Sequence, residues 1–185
     1  MKVTMIVGEP AVGKSQLIKT LMNRIDGWQF IKIPYVVAHF AKKEKLVVIG
    51  DYSDPTQKFP GTDRLSMACQ PRVIGWLWKV MESTAANSVI FEGDRLGNIT
   101  MIEALRSNSK VDLKVVFISA DQSVLILRRE AERATQNTQF VEGRRTKIAN
   151  IRRFVANHNI PHISFDCNTL EQRLEIVQWL EENRL

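Results

Sequence analysis

Eight residues near the amino terminus, Gly8-Glu9-Pro10-Ala11-Val12-Gly13-Lys14-Ser15, restrict the fold more than any other stretch. They follow the apolar run Val3-Thr4-Met5-Ile6-Val7 and precede a segment with helical periodicity, the context that a phosphate-cradling G-x-x-x-x-G-K-[ST] loop requires. In such a loop the backbone N–H groups curl round a polyphosphate, and the first turn of the next helix adds unpaired donors and its dipole. This assigns Gly8, Ala11, Val12, Gly13, Lys14, Ser15 and Gln16 to nucleotide binding, with the choice among triphosphates left open. Lys14 is expected to pair with the β and γ phosphates and Ser15 to offer its hydroxyl to Mg²⁺. Gly8 and Gly13 are expected because a side chain there would meet phosphate or the turn.

The rest of the chain alternates short apolar runs with amphipathic stretches. Lys14 to Arg24 reads as a helix, Trp28 to Ile33 as a strand ended by Pro34, and Leu46 to Ile49 as another strand. Between them, Tyr35 to Lys45 fits either a helix with Val36, Val37 and Phe40 inward or an extended excursion. A helix is expected from Pro71 to about Ala86, with Trp76 and Trp78 widening its apolar face. Ser88 to Phe91 and Leu113 to Ile118 read as buried strands, with a helix capped by Asn98 between them. Asp121 to Thr135 reads as an arginine-rich helix, Gln136 to Phe140 as a break, and Val141 to His158 as a further helix. Ile160 to Phe165 is the last strand, and Leu170 to Leu180 a closing helix capped by Asn168 with Glu171.

Strand alternating with helix implies an α/β fold, here a P-loop three-layer α/β/α arrangement with a mostly parallel five-stranded sheet and a helical, arginine-rich lid. A length of 185 residues suits one domain, residues 1–185, with a substrate-binding loop region at about 51–70 and a lid at about 128–147. Cys69 and Cys167 lie far apart and show no metal-binding spacing, so reduced thiols are expected. The chain enters its first strand after one lysine, and no apolar run approaches the roughly 18 residues of a membrane span, so no membrane association and a cytoplasmic location are expected.

Ligands bind such sheets beyond the carboxyl ends of the strands. Gly8, Asp51, Glu92 to Arg95, and Asp166 to Asn168 all fall there. Glu92 ends an apolar run and is the candidate for holding the Mg²⁺ water shell, while Asp94 is the candidate base for an attacking hydroxyl. The reverse assignment stays open, as does simple pairing of either carboxylate with Arg95, and Asp51 and Asp63 are further candidates for the base. Arg129 and Arg133 share a helical face and suit contact with the transferring phosphate, Arg129 touching the nucleotide as well. The chain carries a formal charge of +6, and residues 128–153 hold eight basic residues against three acidic ones. Nearly the whole imbalance therefore lies in one stretch, which points to phosphate, including that of DNA.

With these residues in view, the chain resembles the P-loop nucleoside and nucleotide kinases. The Glu92-Gly93-Asp94-Arg95 sequence stands where adenylate-kinase-like enzymes carry Asp-Gly-Phe-Pro-Arg. More narrowly, Phe59-Pro60-Gly61-Thr62-Asp63-Arg64-Leu65-Ser66 and Gly143-Arg144-Arg145-Thr146-Lys147 are similar to the phage kinases that phosphorylate 5-hydroxymethyluracil within DNA. The resemblance implies ATP and Mg²⁺ as cofactors and DNA as acceptor. It makes Asp63, Arg64 and the neighbouring Arg95 substrate-facing, and Arg144, Arg145 and Lys147 a phosphate-contacting lid. A flipped or single-stranded base would need a stacking group, for which Tyr52, Phe59 and Trp76 are candidates. Two alternatives remain beside this reading: a kinase for a small nucleoside or nucleoside monophosphate, and a nucleotide-switched DNA-binding ATPase.

Overall fold

A computed structural model describes residues 1–54, 60–131 and 137–183. Its centre is β1 (Lys2–Gly8), an apolar strand buried on both faces. Val3, Met5 and Val7 point into one half of the core and Ile6 into the other, the period of two that a strand between two helical layers imposes. β1 pairs in parallel with β5 (Ser88–Glu92) on one side and β6 (Asp112–Ser119) on the other. β4 (Leu46–Ile49) lies parallel outside β5, and β7 (His162–Asp166) parallel outside β6.

Five of the strands are parallel, but the full sheet has seven strands rather than the expected five, in the order β2-β3-β4-β5-β1-β6-β7. The other two are β2 (Trp28–Ile33), which the sequence also reads as a strand, and β3 (Val36–Ala41), an antiparallel pair in which β3 also runs antiparallel to β4. The ambiguous segment after Pro34 is therefore a strand. Val36, Ala38 and Ala41 are buried by that placement, and the two-residue connection Pro34–Tyr35 is too short for anything but a hairpin.

Helices cover both faces. α1 (Lys14–Met22) and α6 (Leu170–Asn183) bury Leu17, Ile18 and Leu21 against Ile176, Val177 and Leu180 on one side, joined by Leu125 of α4 (Gln122–Ala131). α2 (Gln70–Glu82), α3 (Ile99–Arg106) and α5 (Thr138–Asn157) cover the other with Val73, Leu77, Met101, Ile102, Leu105, Ile151 and Val155. Trp76 and Trp78 are half-buried against this second core half. Cys69 and Cys167 are free, buried thiols in different halves, with the sheet between them.

Helix ends mostly follow local chemistry. The Asn98 side chain accepts from Met101 N, as expected of the cap of α3. The expected break before α5 ends earlier than the sequence suggests, because Asn137 accepts from Phe140 N and starts the helix at Thr138. The cap of α6 falls one residue later than expected: Thr169 Oγ1 accepts from Gln172 N while Gln172 Oε1 accepts from Thr169 N. Asn168 instead accepts from Asp121 N and ties the loop after β7 to the start of α4. Among the described residues no helix is long and apolar enough to cross a membrane.

Candidate active site

The chain leaves β1 for the outer β4, steps back to β5 beside β1 and then crosses to β6 on the far side, so the winding reverses between β5 and β1 and the crevice opens at their carboxyl ends. Ile6 stands opposite Glu92 in the register, which brings the Gly8–Ser15 loop beside the Glu92–Arg95 turn. Gly8 is required by packing: a Cβ there would lie 2.5 Å from the Ile118 carbonyl oxygen of β6. Its expected conflict with phosphate is thus preceded by a conflict with the neighbouring strand. Ala11 and Gly13 take positive φ values of 64° and 101°, turning successive amides to one side as an anion-binding nest does. Gly13 precedes α1, so Lys14, Ser15 and Gln16 form the first turn, whose N–H groups lack helical acceptors.

Lys14 Nζ donates to the carbonyls of Gly8 and Glu9 at 2.8 and 2.9 Å, which holds the ammonium inside the curve of the loop. Ser15 Oγ donates to Glu92 Oε1 at 3.0 Å, and the Tyr52 hydroxyl donates to the same oxygen at 2.9 Å. Glu92 is 2% exposed. Burial pushes its pKa up, opposed by the Lys14 ammonium and the two hydroxyl donors and reinforced by nearby Asp63. Tyr52 is fully enclosed, and burial beside Glu92 carries its phenol well above the usual range.

These residues fit Mg²⁺. A serine hydroxyl and one buried carboxylate 3.0 Å apart are hard oxygen donors beside the phosphate cradle. Among the described residues no three His, Cys, Asp or Glu side chains gather to hold a metal by themselves. Mg²⁺ is usually held by one or two carboxylates, with phosphates and water completing its shell.

A single 3₁₀ turn, Thr62–Arg64, reaches the backbone of Glu92 and Asp94 after β5 and the Asp51 carboxylate after β4. Thr62 Oγ1 donates to the Glu92 carbonyl, Asp63 Oδ1 accepts from Asp94 N at 3.3 Å, and Arg64 Nε lies 3.7 Å from Asp51 Oδ2. Asp51 also accepts from Ser53 N and Oγ. Burial alone would raise its pKa, but the Ser53 bonds and the charges of Arg64 and His39 outweigh that and lower it. The turn is positioned by the bridge between Asp51 and Gly61, whose backbones exchange bonds of 3.0 and 2.8 Å.

Asp94 is engaged on both oxygens, by Arg144 Nε at 2.9 Å and Lys147 Nζ at 3.5 Å. Lys147 also donates to the Asp94 carbonyl at 2.9 Å. Burial lowers the Lys147 pKa and Asp94 partly restores it. One turn of α5 thus meets the turn after β5. Arg145 Nε pairs with Glu9 of the phosphate loop at 2.7 Å and its Nη2 also meets Gln122. Arg95 Nη1 meets Met67 Sδ, so it faces the segment after the 3₁₀ turn.

Several expected positions differ. Arg129 Nε donates to Leu125 O of its own helix, whereas Arg128 reaches the phosphate loop: Nη1 donates to Val12 O and Nη2 to Asn168 O, both at 3.1 Å. Arg133 lies outside the described residues, and so does Phe59. Tyr52 is buried beneath Glu92 and so is closed to stacking, while Trp76 is half-buried against the core. The link from Tyr52 to Glu92, and the bridging role of Arg128, left no mark in the sequence, since both depend on contacts between residues far apart in the chain.

No curated protein matches this sequence. Two similar solved structures are a sugar kinase from a Janibacter species and shikimate kinase from Bacteroides thetaiotaomicron. The first is 7% identical with a TM-score of 0.47, over 100% of this chain and 96% of that one. The second is 16% identical with a TM-score of 0.42, over 97% of this chain and 96% of that one. The family model described as P-loop Nucleotide Kinase3 matches residues 1–164, the stretch that carries the loop, the Glu92 turn and both arginine-bearing helices; the chain belongs to that family and is a P-loop phosphotransferase.

Proposed function

We propose that the chain transfers the terminal phosphate of ATP to an alcohol, and that the acceptor is the 5-hydroxymethyl group of 5-hydroxymethyluracil in DNA. The whole chain is taken as one kinase domain, with residues 51–70 facing the acceptor and residues 128–147 acting as a lid. The observation that carries the reading is the convergence of Lys14, Ser15 and Glu92 at the mouth of the β1/β5 crevice, with Asp94 and Asp63 beside them.

In this reading the amides from Ala11 to Gln16 and the Lys14 ammonium hold the polyphosphate. Ser15 and Glu92 hold Mg²⁺, which supplies charge compensation at the phosphate oxygens. Asp94 accepts the proton of the attacking hydroxyl. A carboxylate has about four lone-pair sites, so the cations of Arg144 and Lys147 leave room for one more donor. Arg144, Arg145 and Lys147 carry positive charge over the phosphates as α5 closes down, and Arg128 holds the loop in shape. The DNA acceptor is supported by the similarity of residues 59–66 and 143–147 to kinases of that kind and by the basic excess of residues 128–153. The pairing of Arg144, Arg145 and Lys147 with Asp94 and Glu9 favours a second reading, a small nucleoside or nucleotide acceptor, because it uses those cations inside the fold.

Radiolabelled ATP offered together with hydroxymethyluracil-containing DNA and free thymidylate separates the readings. Label in the polymer, with an acceptor KM that rises steeply with salt, supports DNA; label in the mononucleotide alone moves the acceptor to the second reading. ATP turnover that DNA stimulates without accepting label would replace both with a DNA-switched ATPase. Asp94→Asn is expected to lower kcat by at least about 100-fold, the scale of general-base catalysis, with ATP affinity nearly unchanged. An equal loss of both would assign Asp94 to phosphate and metal positioning instead.

A further inference from the structure

The β2–β3 hairpin turns through Pro34 and Tyr35 at the carboxyl edge of the sheet. The pyrrolidine ring keeps φ negative at Pro34, while Tyr35 has φ of 67°. These are the signs of a type II turn, which places glycine or asparagine at its third position because other L-residues are strained there. Here that position carries a tyrosine, and the residue is 51% exposed, so core packing does not account for it. Strain kept at an exposed aromatic residue points to function.

Tyr35 lines a cleft of about 410 Å³ with Lys32, Ile33, Val37, Arg64 and Ser66. The cleft combines one exposed aromatic ring, apolar walls and two cations. The opposite wall is the segment that begins at the Thr62–Arg64 turn, the turn that bonds to Glu92, Asp94 and Asp51. One wall of the cleft is therefore continuous with the turn that pairs Arg64 with the Asp51 carboxylate, and Tyr35 offers an exposed ring on the other.

We propose that this cleft is the acceptor site and that it takes a nucleoside phosphate, free or within a strand, with its base stacked on Tyr35 and its phosphate met by Lys32 and Arg64. The proposal rests on the kinase reading for its role, but not for its binding chemistry. The test is equilibrium binding to the full chain, without ATP, of a short fluorescein-labelled oligothymidylate and, separately, of thymidine 5′-monophosphate. Tyr35→Gly, which fits the turn, is expected to weaken binding about tenfold, the size of one base–aromatic stack, while its melting temperature stays at or above that of the parent. Tyr35→Phe should bind as the parent does, and Tyr35→Asn, which also tolerates the turn, should repeat the loss.

Loss with the oligonucleotide alone assigns the site to a strand, and loss with the mononucleotide alone to a free nucleotide. Binding of both probes unaffected by Tyr35→Gly and Tyr35→Asn, or no binding of either by the parent, overturns the proposal. Tyr35-dependent binding without any phosphate transfer would retire the kinase reading and keep the site. Transfer to an acceptor whose KM is the same in the parent and Tyr35→Gly would retire the site and keep the kinase reading.

Discussion

In the proposed reading, Glu92 serves the site at a cost to the fold. Its carboxylate is enclosed at the end of β5, where burial raises its pKa more than Lys14, Tyr52 and Ser15 can lower it. A raised folded pKa means that the protonated form is the one the fold prefers: the stabilising contribution is complete below the ordinary glutamate range and is lost as pH rises through the folded value. At neutral pH the charged group is therefore a net burden. Glu92→Gln keeps an oxygen for the Ser15 and Tyr52 hydroxyls while removing the charge. It is expected to raise the melting temperature at neutral pH and to abolish phosphate transfer, the trade-off common to strained active sites. A thermal denaturation curve shifted downward would show that the carboxylate is stabilised by its donors instead. The sequence marked Glu92 because it ends an apolar strand, but its state depends on Tyr52 and Asp63, which no periodicity links to it.

Among the elements, those with long apolar periods were legible and those set by pairing were not. β1, β5 and β6 are buried on both faces and read as uninterrupted apolar runs, so their positions followed directly. β3 was ambiguous because Val36, Val37 and Phe40 suit either period, and pairing with β2 and β4 decides between them. The arginine-rich α4 was recognised, but its register at the site was not: Arg128, on the face neighbouring the expected one, bonds to Val12 O and Asn168 O. This guanidinium joins α4 and the β7–α6 loop to the phosphate loop by donating from its two terminal nitrogens to two different carbonyls, a rigid fork that lysine cannot copy. Arg128→Ala is expected to weaken ATP binding about tenfold, as the loss of charge-assisted hydrogen bonds of about 1.5–3 kcal/mol each allows when water replaces part of them. Arg128→Lys should recover only part of that, and kcat at saturating ATP should change less than affinity in both. Calorimetric titration of ATP against the two variants provides the check, and unchanged affinity in Arg128→Ala would remove the bracing role.

Across the whole molecule, stability and the site are linked through one buried tyrosine. Tyr52 N donates to His39 Nε2 at 3.2 Å, and its hydroxyl donates to Glu92 Oε1 at the mouth of the crevice. His39 lies on β3 with the rings of Trp28, Phe30 and Tyr52 around it. Burial lowers its pKa and Asp51 opposes that only in part, so the fold holds it neutral with Nε2 as acceptor. A depressed folded pKa contributes stability that is present above the ordinary histidine value and is lost as pH falls through the folded one. Glu92 acts in the opposite sense, gaining stability as pH falls, so the two groups partly cancel in mildly acidic solution. The His39 contribution is lost between neutral pH and about pH 5, the range in which an unperturbed histidine takes up its proton, and a decline of the melting temperature over that range is its signature. His39→Gln keeps an acceptor for Tyr52 N without the charge, and should flatten or reverse the decline; Glu92→Gln removes the opposing group and should steepen it. If His39→Gln leaves the slope as it was, protonation at β3 does not reach the fold, and the hydrogen bond from Tyr52 N is replaced by water when the ring charges.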